Sequence, residues 1–154
     1  MRDKLNNISC NEAARADARK NLDWATETIQ ELLNLYRDDP DAGNDEFGSL
    51  REYGLEFRVE EEETETYEKG REYLTFTWVL ATGGPHYEFQ FDVRRYGPYE
   101  YSVLNVVFVF LPWFRRCETL LTGPQEALLE SVFLEYFVES GIAESTRGGR
   151  PYYG

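Results

Sequence analysis

Alternation of apolar and polar residues between Tyr53 and Val93 constrains the fold of this chain more than any other feature. Three stretches place an apolar side chain at every second position. A period of two is typical of strands that bury one face. The stretches are YGLEFRV at 53–59, YLTFTWVL at 73–80 and HYEFQFDV at 86–93. The sequence therefore predicts consecutive strands, with a turn at Thr82-Gly-Gly-Pro85 between the second and the third.

A fourth stretch, about Glu100 to Leu111, is apolar on both faces beyond Asn105. Such a strand is expected to be covered on both sides, by a helix, a long loop or a second copy of the chain. A homodimer, in which the second copy covers this strand, is therefore one of the alternatives. A short additional strand over 116–121 is also compatible with the sequence.

Helical periodicity flanks the strands. Apolar residues recur every three or four positions from Glu12 to about Arg37, which predicts an amphipathic helix that Asn11 or Ser9 caps. A second helix is predicted from Thr122-Gly-Pro124 to Gly141. Its expected buried stripe is Leu128, Leu129, Val132, Phe133, Tyr136 and Phe137.

These elements predict the α+β class: an N-terminal amphipathic helix, a four-stranded antiparallel meander, and a C-terminal helix packed on the sheet. The length suits one domain, expected over residues 1–144. Residues 145–154 lack apolar periodicity and are predicted to form a flexible tail.

Charge is distributed unevenly along the chain. There are 29 acidic and 16 basic residues, a net charge of −13, and residues 1–70 hold 19 of the acidic and 9 of the basic ones. A strongly negative surface repels nucleic acid and attracts basic partners, although soluble proteins also carry such charge for solubility. Direct nucleic-acid binding is therefore not expected.

Three segments concentrate the carboxylates: the outer row of the first helix, the connector 38–46, and a hairpin tip at 60–68. They supply the predicted partner-binding residues, which are Asp23, Glu27, Glu31, Asp38, Asp39, Asp41, Glu60, Glu61, Glu62, Glu63 and Glu65. Residues four apart on a helix are neighbours, so the first row costs a few tenths of a kcal/mol per pair unless a partner uses it.

Motifs for metals, cofactors and membranes are weak. The connector departs from a calcium loop, since counting Asp39 as first puts Leu50 where a Glu is needed. Cys10 and Cys117 belong to no CxxC or Cys/His cluster, so both are predicted to be free thiols. No cofactor is predicted.

The predicted location is the cytoplasm. The first residues lack the apolar run of a secretory signal. The longest apolar stretch, Val106 to Phe114, is about half of the roughly 20 residues that a membrane helix needs. No membrane association is therefore expected.

Catalytic chemistry has one candidate constellation. His86, Glu88, Gln90 and Asp92 share a strand face and offer an imidazole and two carboxylates, which acid/base or metal chemistry requires. The solvent face of an antiparallel sheet produces the same alternation, and this interpretation is favoured. Trp113 and Phe114 are interpreted as core residues, with an interface anchor as the alternative. No catalytic residue is assigned, and the chain is predicted not to be an enzyme.

The segment from about Tyr53 to Glu139 resembles a group of small, uncharacterised acidic proteins encoded by phages and prophages. The shared pattern is EYGLEFRVE, LATGGPHYEFQF, LPWFRR and LLTGPQEALLESVFLEYF. The chain departs from that pattern in its long N-terminal helix and in lacking an Asp before the Trp, so no functional residue is carried over.

The resemblance implies an accessory role in countering host defence, such as an anti-CRISPR inhibitor acting in the bacterial cytoplasm. The implied partner is a host protein with a basic nucleic-acid-binding channel, such as a CRISPR effector or a nuclease, which a carboxylate array engages as a DNA mimic. Two alternatives stand beside it. One is a non-catalytic interaction module with an aromatic groove around Trp78, Trp113 and Phe114, and the other is a small enzyme that uses His86 with Glu88 or Asp92.

Overall fold

The computed structural model describes residues 10–61, 72–81, 86–112, 116–147 and 149–153. Helices lie at both ends of the described chain, with the strands between them. The helical segments are α1 (Glu12–Asp38), α2 (Gly123–Val132), a π-helical turn π1 (Phe133–Val138) and α3 (Ile142–Thr146). The strands are β1 (Gly43–Asn44), β2 (Gly48–Ser49), β3 (Glu56–Glu61), β4 (Glu72–Ala81), β5 (His86–Gly97), β6 (Glu100–Leu111) and β7 (Cys117–Leu120).

The main sheet is antiparallel and has five strands in the order β3-β4-β5-β6-β7. The predicted α+β class with its two terminal helical regions is confirmed, and the four-stranded count is corrected. The additional strand, β7, pairs along β6 from Phe110 opposite Cys117 to Val107 opposite Leu120. A strand of four residues is too short to show a clear period of two.

A two-stranded ribbon, β1 with β2, forms a second small sheet that the sequence did not predict. Its strands approach so closely that a Cβ on Gly43 would lie 2.1 Å from the backbone carbon of Gly48. Glycine permits this approach because it has no side chain. The predicted acidic connector therefore contains regular structure.

The hydrophobic core lies on one face of the main sheet, and every helical segment contributes to it. Phe57 of β3 stacks on Phe137 of π1, with ring centroids 3.9 Å apart and planes 8° from parallel. The predicted stripe of the C-terminal helix is buried as expected. We call this side of the sheet the core face and the opposite side the outer face.

The N-terminus of α1 is capped as predicted, since the Asn11 side chain accepts a hydrogen bond of 2.8 Å from the backbone N–H of Ala14. The buried side of α1 includes Ala18, Leu22 and Ile29, each fully buried. Across the described residues, no helix has the length and apolar content to cross a bilayer.

A disulfide joins Cys10 to Cys117, which corrects the prediction of two free thiols. The two cysteines are 107 residues apart in the sequence, and their Cα atoms are 5.3 Å apart. Sequence reasoning missed the pair because two isolated cysteines carry no spacing signature. Only the path of the chain brings the start of α1 beside the first residue of β7.

The C-terminal region is ordered by local and long-range hydrogen bonds. Thr122 and Gln125 form a capping box at the start of α2. The segment predicted as a flexible tail contains the end of α3, and Tyr152 exchanges two backbone hydrogen bonds with Phe57, of 2.7 and 2.8 Å. Residues 149–153 therefore return to the edge of β3.

Candidate binding surfaces

The predicted partner-binding residues of α1 and the connector are all exposed. They are Asp23, Glu27, Glu31, Asp38, Asp39 and Asp41. We call this set the α1 acidic surface. Three of its members have a hydrogen-bond or ion-pair partner among the described residues. Asp23 accepts a hydrogen bond from Gln125 Nε2 at 2.8 Å, and Asp39 accepts one from the backbone N–H of Asp41 at 3.0 Å.

Among the described residues, one member of this surface forms an ion pair. Asp41 pairs with Arg51 at 3.3 Å, between two well-exposed side chains, and such pairs contribute little stability. Within the described residues, Glu27, Glu31 and Asp38 form no ion pair and no side-chain hydrogen bond. These three carboxylates are therefore uncompensated.

Arg37, the basic residue in the last turn of α1, is engaged elsewhere. Its guanidinium binds both carboxylate oxygens of Glu135, at 2.8 and 2.7 Å. This hydrogen bonding from Arg37 lowers the pKa of Glu135 below its usual value, despite some opposing desolvation. The helix therefore ends in Asp38 and Asp39 without a neighbouring free cation from its own last turn.

Glu60, the first of the predicted hairpin carboxylates, lies apart from the α1 acidic surface. Glu60 and Glu61 end β3, and Glu60 aligns with Thr75 of β4 on the outer face. Glu60 lies 3.9 Å from Arg58 Nε. Glu62, Glu63 and Glu65 lie outside the described residues. The sheet thus separates Glu60 from α1, so Glu60 and the carboxylates of the α1 acidic surface lie on two different sides of the molecule.

The outer face holds a groove of about 540 Å³, which we call the outer groove. Side chains from five strands or their flanks surround it. The polar residues along it are Arg58, Glu60, Thr75, Glu88, Gln90, Asp92 and Arg116. Its volume lies within the roughly 300–1,000 Å³ of small-molecule sites.

A chain of polar contacts crosses the centre of the outer face. His86 Nε2 lies 2.8 Å from Glu88 Oε1, and Gln90 Nε2 donates to Glu88 Oε2 at 3.3 Å. Arg116 Nη2 then donates to Gln90 Oε1 at 3.4 Å and to Glu118 Oε1 at 3.1 Å. The imidazole and the carboxylate that the sequence placed on one face are therefore in direct contact.

Interpretation of this face as a simple solvent face is wrong at its centre, because Glu88 is 4 % exposed. Its cross-strand neighbours Val79 and Val109 are buried as well, at 2 % and 0 %. The sequence predicted that both faces of the fourth strand are covered, and the outer-facing residues Val107 and Val109 are indeed buried. A buried carboxylate needs hydrogen-bond donors, which His86 and Gln90 supply.

Asp92 is the second carboxylate of the groove. It accepts hydrogen bonds from Thr75 Oγ1 at 3.0 Å and from Asn105 Nδ2 at 3.4 Å. Beside it the pairing of β5 with β6 shifts, from Asp92 opposite Asn105 to Val93 opposite Val103, so Leu104 is an extra residue. Such a bulge redirects a side chain, and Leu104 lines the groove.

Sequence reasoning found the β5 residues of this site and missed Arg58, Thr75 and Arg116 on other elements. Arg58 and Thr75 alternate with the predicted core residues of their strands, which is a signal for the outer face. That signal does not reveal which residues of different strands are opposite each other. Strand register supplies this information.

The aromatic groove predicted around Trp78 is not formed by that residue, which is 2 % exposed and packs within the core. Its ring contacts Phe137, with centroids 5.1 Å apart. Trp113 and Phe114 lie outside the described residues, so their predicted core position stays a prediction.

Comparisons with protein families, curated proteins and solved structures find no match for this chain. Among the described residues, no group of three or more His, Cys, Asp or Glu side chains is arranged to hold a metal ion. The α1 acidic surface and the outer groove are the candidate binding surfaces among the described residues.

Proposed function

We propose that this chain is a phage-encoded, non-catalytic anti-defence inhibitor that binds a basic nucleic-acid-binding surface of a host protein. The observation that carries the proposal is the row of exposed Glu27, Glu31 and Asp38, which lack an ion-pair partner within the described part of the chain. Nucleic-acid channels present Lys and Arg to phosphates. A fixed carboxylate row competes for the same cations.

The position of these carboxylates supports a cationic partner. A helix C-terminus carries a partial negative charge, so Asp38 and Asp39 are placed where cations are favoured. Glu27 and Glu31 are four residues apart, a spacing at which like charges repel. A cationic surface relieves both repulsions on binding, whereas water only screens them.

The connector extends the proposed interface beyond α1. Along the helix axis Glu27 and Glu31 are about 6 Å apart and Glu31 and Asp38 about 10.5 Å apart, whereas duplex DNA carries one charge per about 1.7 Å. The helical row alone is therefore too sparse to imitate a duplex. Asp39 and Asp41 add carboxylates at its end, where the chain turns into β1.

The proposed partner is a CRISPR effector or a nuclease in the bacterial cytoplasm. A purified panel of such proteins, each bound to a fluorescent duplex, tests the proposal. We expect this chain to displace the duplex from at least one of them. The apparent affinity should fall steeply between about 50 and about 200 mM salt, as charge-driven binding does.

Matched charge variants locate the interface. We expect Glu27→Gln/Glu31→Gln/Asp38→Asn to weaken displacement by about tenfold or more, since about 1.4 kcal/mol corresponds to a factor of ten. The control Glu100→Gln/Glu130→Gln/Glu139→Gln removes the same charge from exposed residues elsewhere and should keep the affinity. Two results would contradict the proposal: an equal loss of affinity in both variants, or an affinity that does not change with the salt concentration.

A further inference from the structure

We propose that Trp24, Glu27 and Glu31 together bind an arginine side chain of the partner protein. This inference rests on the proposed function, and it names the side chain that the α1 acidic surface receives. The three residues lie on one side of α1, because helix positions three, four and seven apart share a face. They join an aromatic ring to two carboxylates, which is a combination that suits an organic cation.

Trp24 is a large apolar side chain in an otherwise polar row of the helix. It is 42 % exposed. Trp is highly buried on average, and a Trp that reaches the surface is typical of the residues that contribute most to binding at protein interfaces. The exposed indole therefore gives the α1 acidic surface an apolar contact as well as charge.

A row of aromatic rings holds the indole in place. Trp24 contacts Phe47, which lies between β1 and β2, with ring centroids 5.4 Å apart and planes at 68°. Phe47 contacts Tyr53 at 5.6 Å, and Tyr53 contacts the buried Trp78 at 5.9 Å. Because a side chain that is already held in place loses little freedom on binding, this row prepares Trp24 for a ligand.

Two carboxylates follow the indole along the helix. Glu27 comes three residues after Trp24, and Glu31 comes four residues after Glu27, so successive Cβ atoms are about 5–6 Å apart. Lys20, one turn before Trp24, makes no cation–π contact with the indole among the described residues. Within that part of the chain, neither carboxylate has an ion-pair partner. The site therefore has two negative charges for an incoming cation.

The arrangement favours a guanidinium group over an ammonium group. A guanidinium is flat and weakly hydrated, so it stacks on an aromatic ring while the N–H donors at its edge remain available. An arginine that stacks on Trp24 can therefore donate hydrogen bonds to Glu27 at the same time. A lysine ammonium is a compact, strongly hydrated charge that gains less from the ring. The site is thus expected to prefer arginine among basic side chains.

Two peptides of equal charge, hexaarginine and hexalysine, test the proposal. They are titrated into the full chain at about 50 mM salt, where exposed charges are screened less than at physiological ionic strength. We expect hexaarginine to bind more tightly than hexalysine. Nuclear Overhauser contacts should join the Trp24 indole to the δ-methylene protons of arginine.

Matched variants assign the preference for arginine to the indole. Trp24→Leu should weaken hexaarginine by about threefold to fivefold, as expected for an exposed cation–π contact, and should weaken hexalysine less. Tyr153→Leu removes another aromatic side chain, 68 % exposed, and should keep the preference. Glu27→Gln/Glu31→Gln should weaken both peptides.

The outcomes separate this inference from the proposed function. If neither peptide binds the unmodified chain, both are overturned. If both peptides bind but Trp24→Leu and Tyr153→Leu keep the same preference for arginine, or no preference exists, only the arginine site is overturned. If the site behaves as expected while no nuclease or CRISPR effector loses its duplex, only the proposed function is overturned. The nuclear Overhauser contacts need only the unmodified protein, so their absence overturns the arginine site even when Trp24→Leu fails to fold.

Discussion

Glu144 is the residue with the densest polar contacts in the C-terminal region. Its Oε1 accepts hydrogen bonds from Tyr101 Oη at 2.8 Å and from Arg95 Nε at 2.9 Å. The backbone N–H of Tyr99 adds a third, at 3.3 Å. Burial raises the pKa of Glu144, but these hydrogen bonds lower it by more, so the net pKa lies below the usual value.

This shift predicts a pH-dependent contribution to stability. Because the pKa is lower in the folded chain than in the unfolded one, Glu144 stabilises the fold above its ordinary pKa of about 4.3. The contribution is lost as the pH falls through the folded pKa. We expect Glu144→Gln to cost about 1.5–3 kcal/mol at pH 7, the range for hydrogen bonds to charged groups. Urea denaturation across the acid range should show wild type and variant converging.

Glu135 provides the control for Glu144. Its pKa is lowered in the same direction by Arg37, but both side chains of the pair are more than a third exposed, at 36 % and 44 %. Exposed pairs contribute about 1 kcal/mol or less. We therefore expect Glu135→Gln to lower the free energy of unfolding by less than Glu144→Gln does. An equal loss in the two variants would contradict the view that burial sets the strength of these contacts.

Single residues also show the limit of sequence reasoning. Gly54 stands in a stretch with a strand pattern, yet it adopts a φ of 85°, and a Cβ there would lie 2.4 Å from Trp78 Nε1. The pattern of a strand reveals neither the left-handed backbone nor a side chain 24 residues away in the sequence. Both depend on how β3 and β4 approach each other.

At the scale of elements, α1 carries charge that opposes its own dipole at one end and complements it at the other. Replacing Asp38 with Lys should raise the free energy of unfolding by about 0.3–1 kcal/mol, because a cation suits a helix C-terminus. The same replacement of Glu12, in the first turn, should lower it by a similar amount. Urea midpoints of Asp38→Lys and Glu12→Lys measure both, and a shift of the same sign in the two would refute the dipole argument.

Elements with many periodic residues could be predicted, and short or irregular ones could not. The strands β4, β5 and β6 are 10 to 12 residues long, and the bounds of β4 and β6 match the expectation closely. In contrast, β5 continues four residues beyond the expected Val93, to Gly97. In π1 the predicted apolar stripe continues, but the change from α to π hydrogen bonding leaves no mark in the sequence. The outer groove depends on register across β3, β4 and β5, which the alternation alone leaves undetermined.

At the scale of the molecule, the disulfide between Cys10 and Cys117 closes a loop that spans most of the chain. Cross-linking two residues 107 positions apart restricts the unfolded chain strongly, so we expect reduction to lower the free energy of unfolding by about 2–5 kcal/mol. Urea denaturation with and without a reducing agent measures this. Cys10→Ser/Cys117→Ser should have the same free energy of unfolding as the reduced protein, with or without the reducing agent. If the reducing agent also destabilised this variant, the disulfide would be excluded as the cause.

Because the Cys10–Cys117 disulfide links the start of α1 to β7, the redox state of the compartment decides whether that link is covalent. Disulfides persist in oxidising compartments and are rare in the cytosol, where the sequence predicts that this protein acts. In a reducing cell the chain would carry two thiols, and Arg19, which donates to the Leu120 carbonyl at 3.1 Å, would hold the start of α1 to β7 without covalent help. Alkylation during cell lysis, followed by a mass measurement, would therefore report which of the two forms meets its partner.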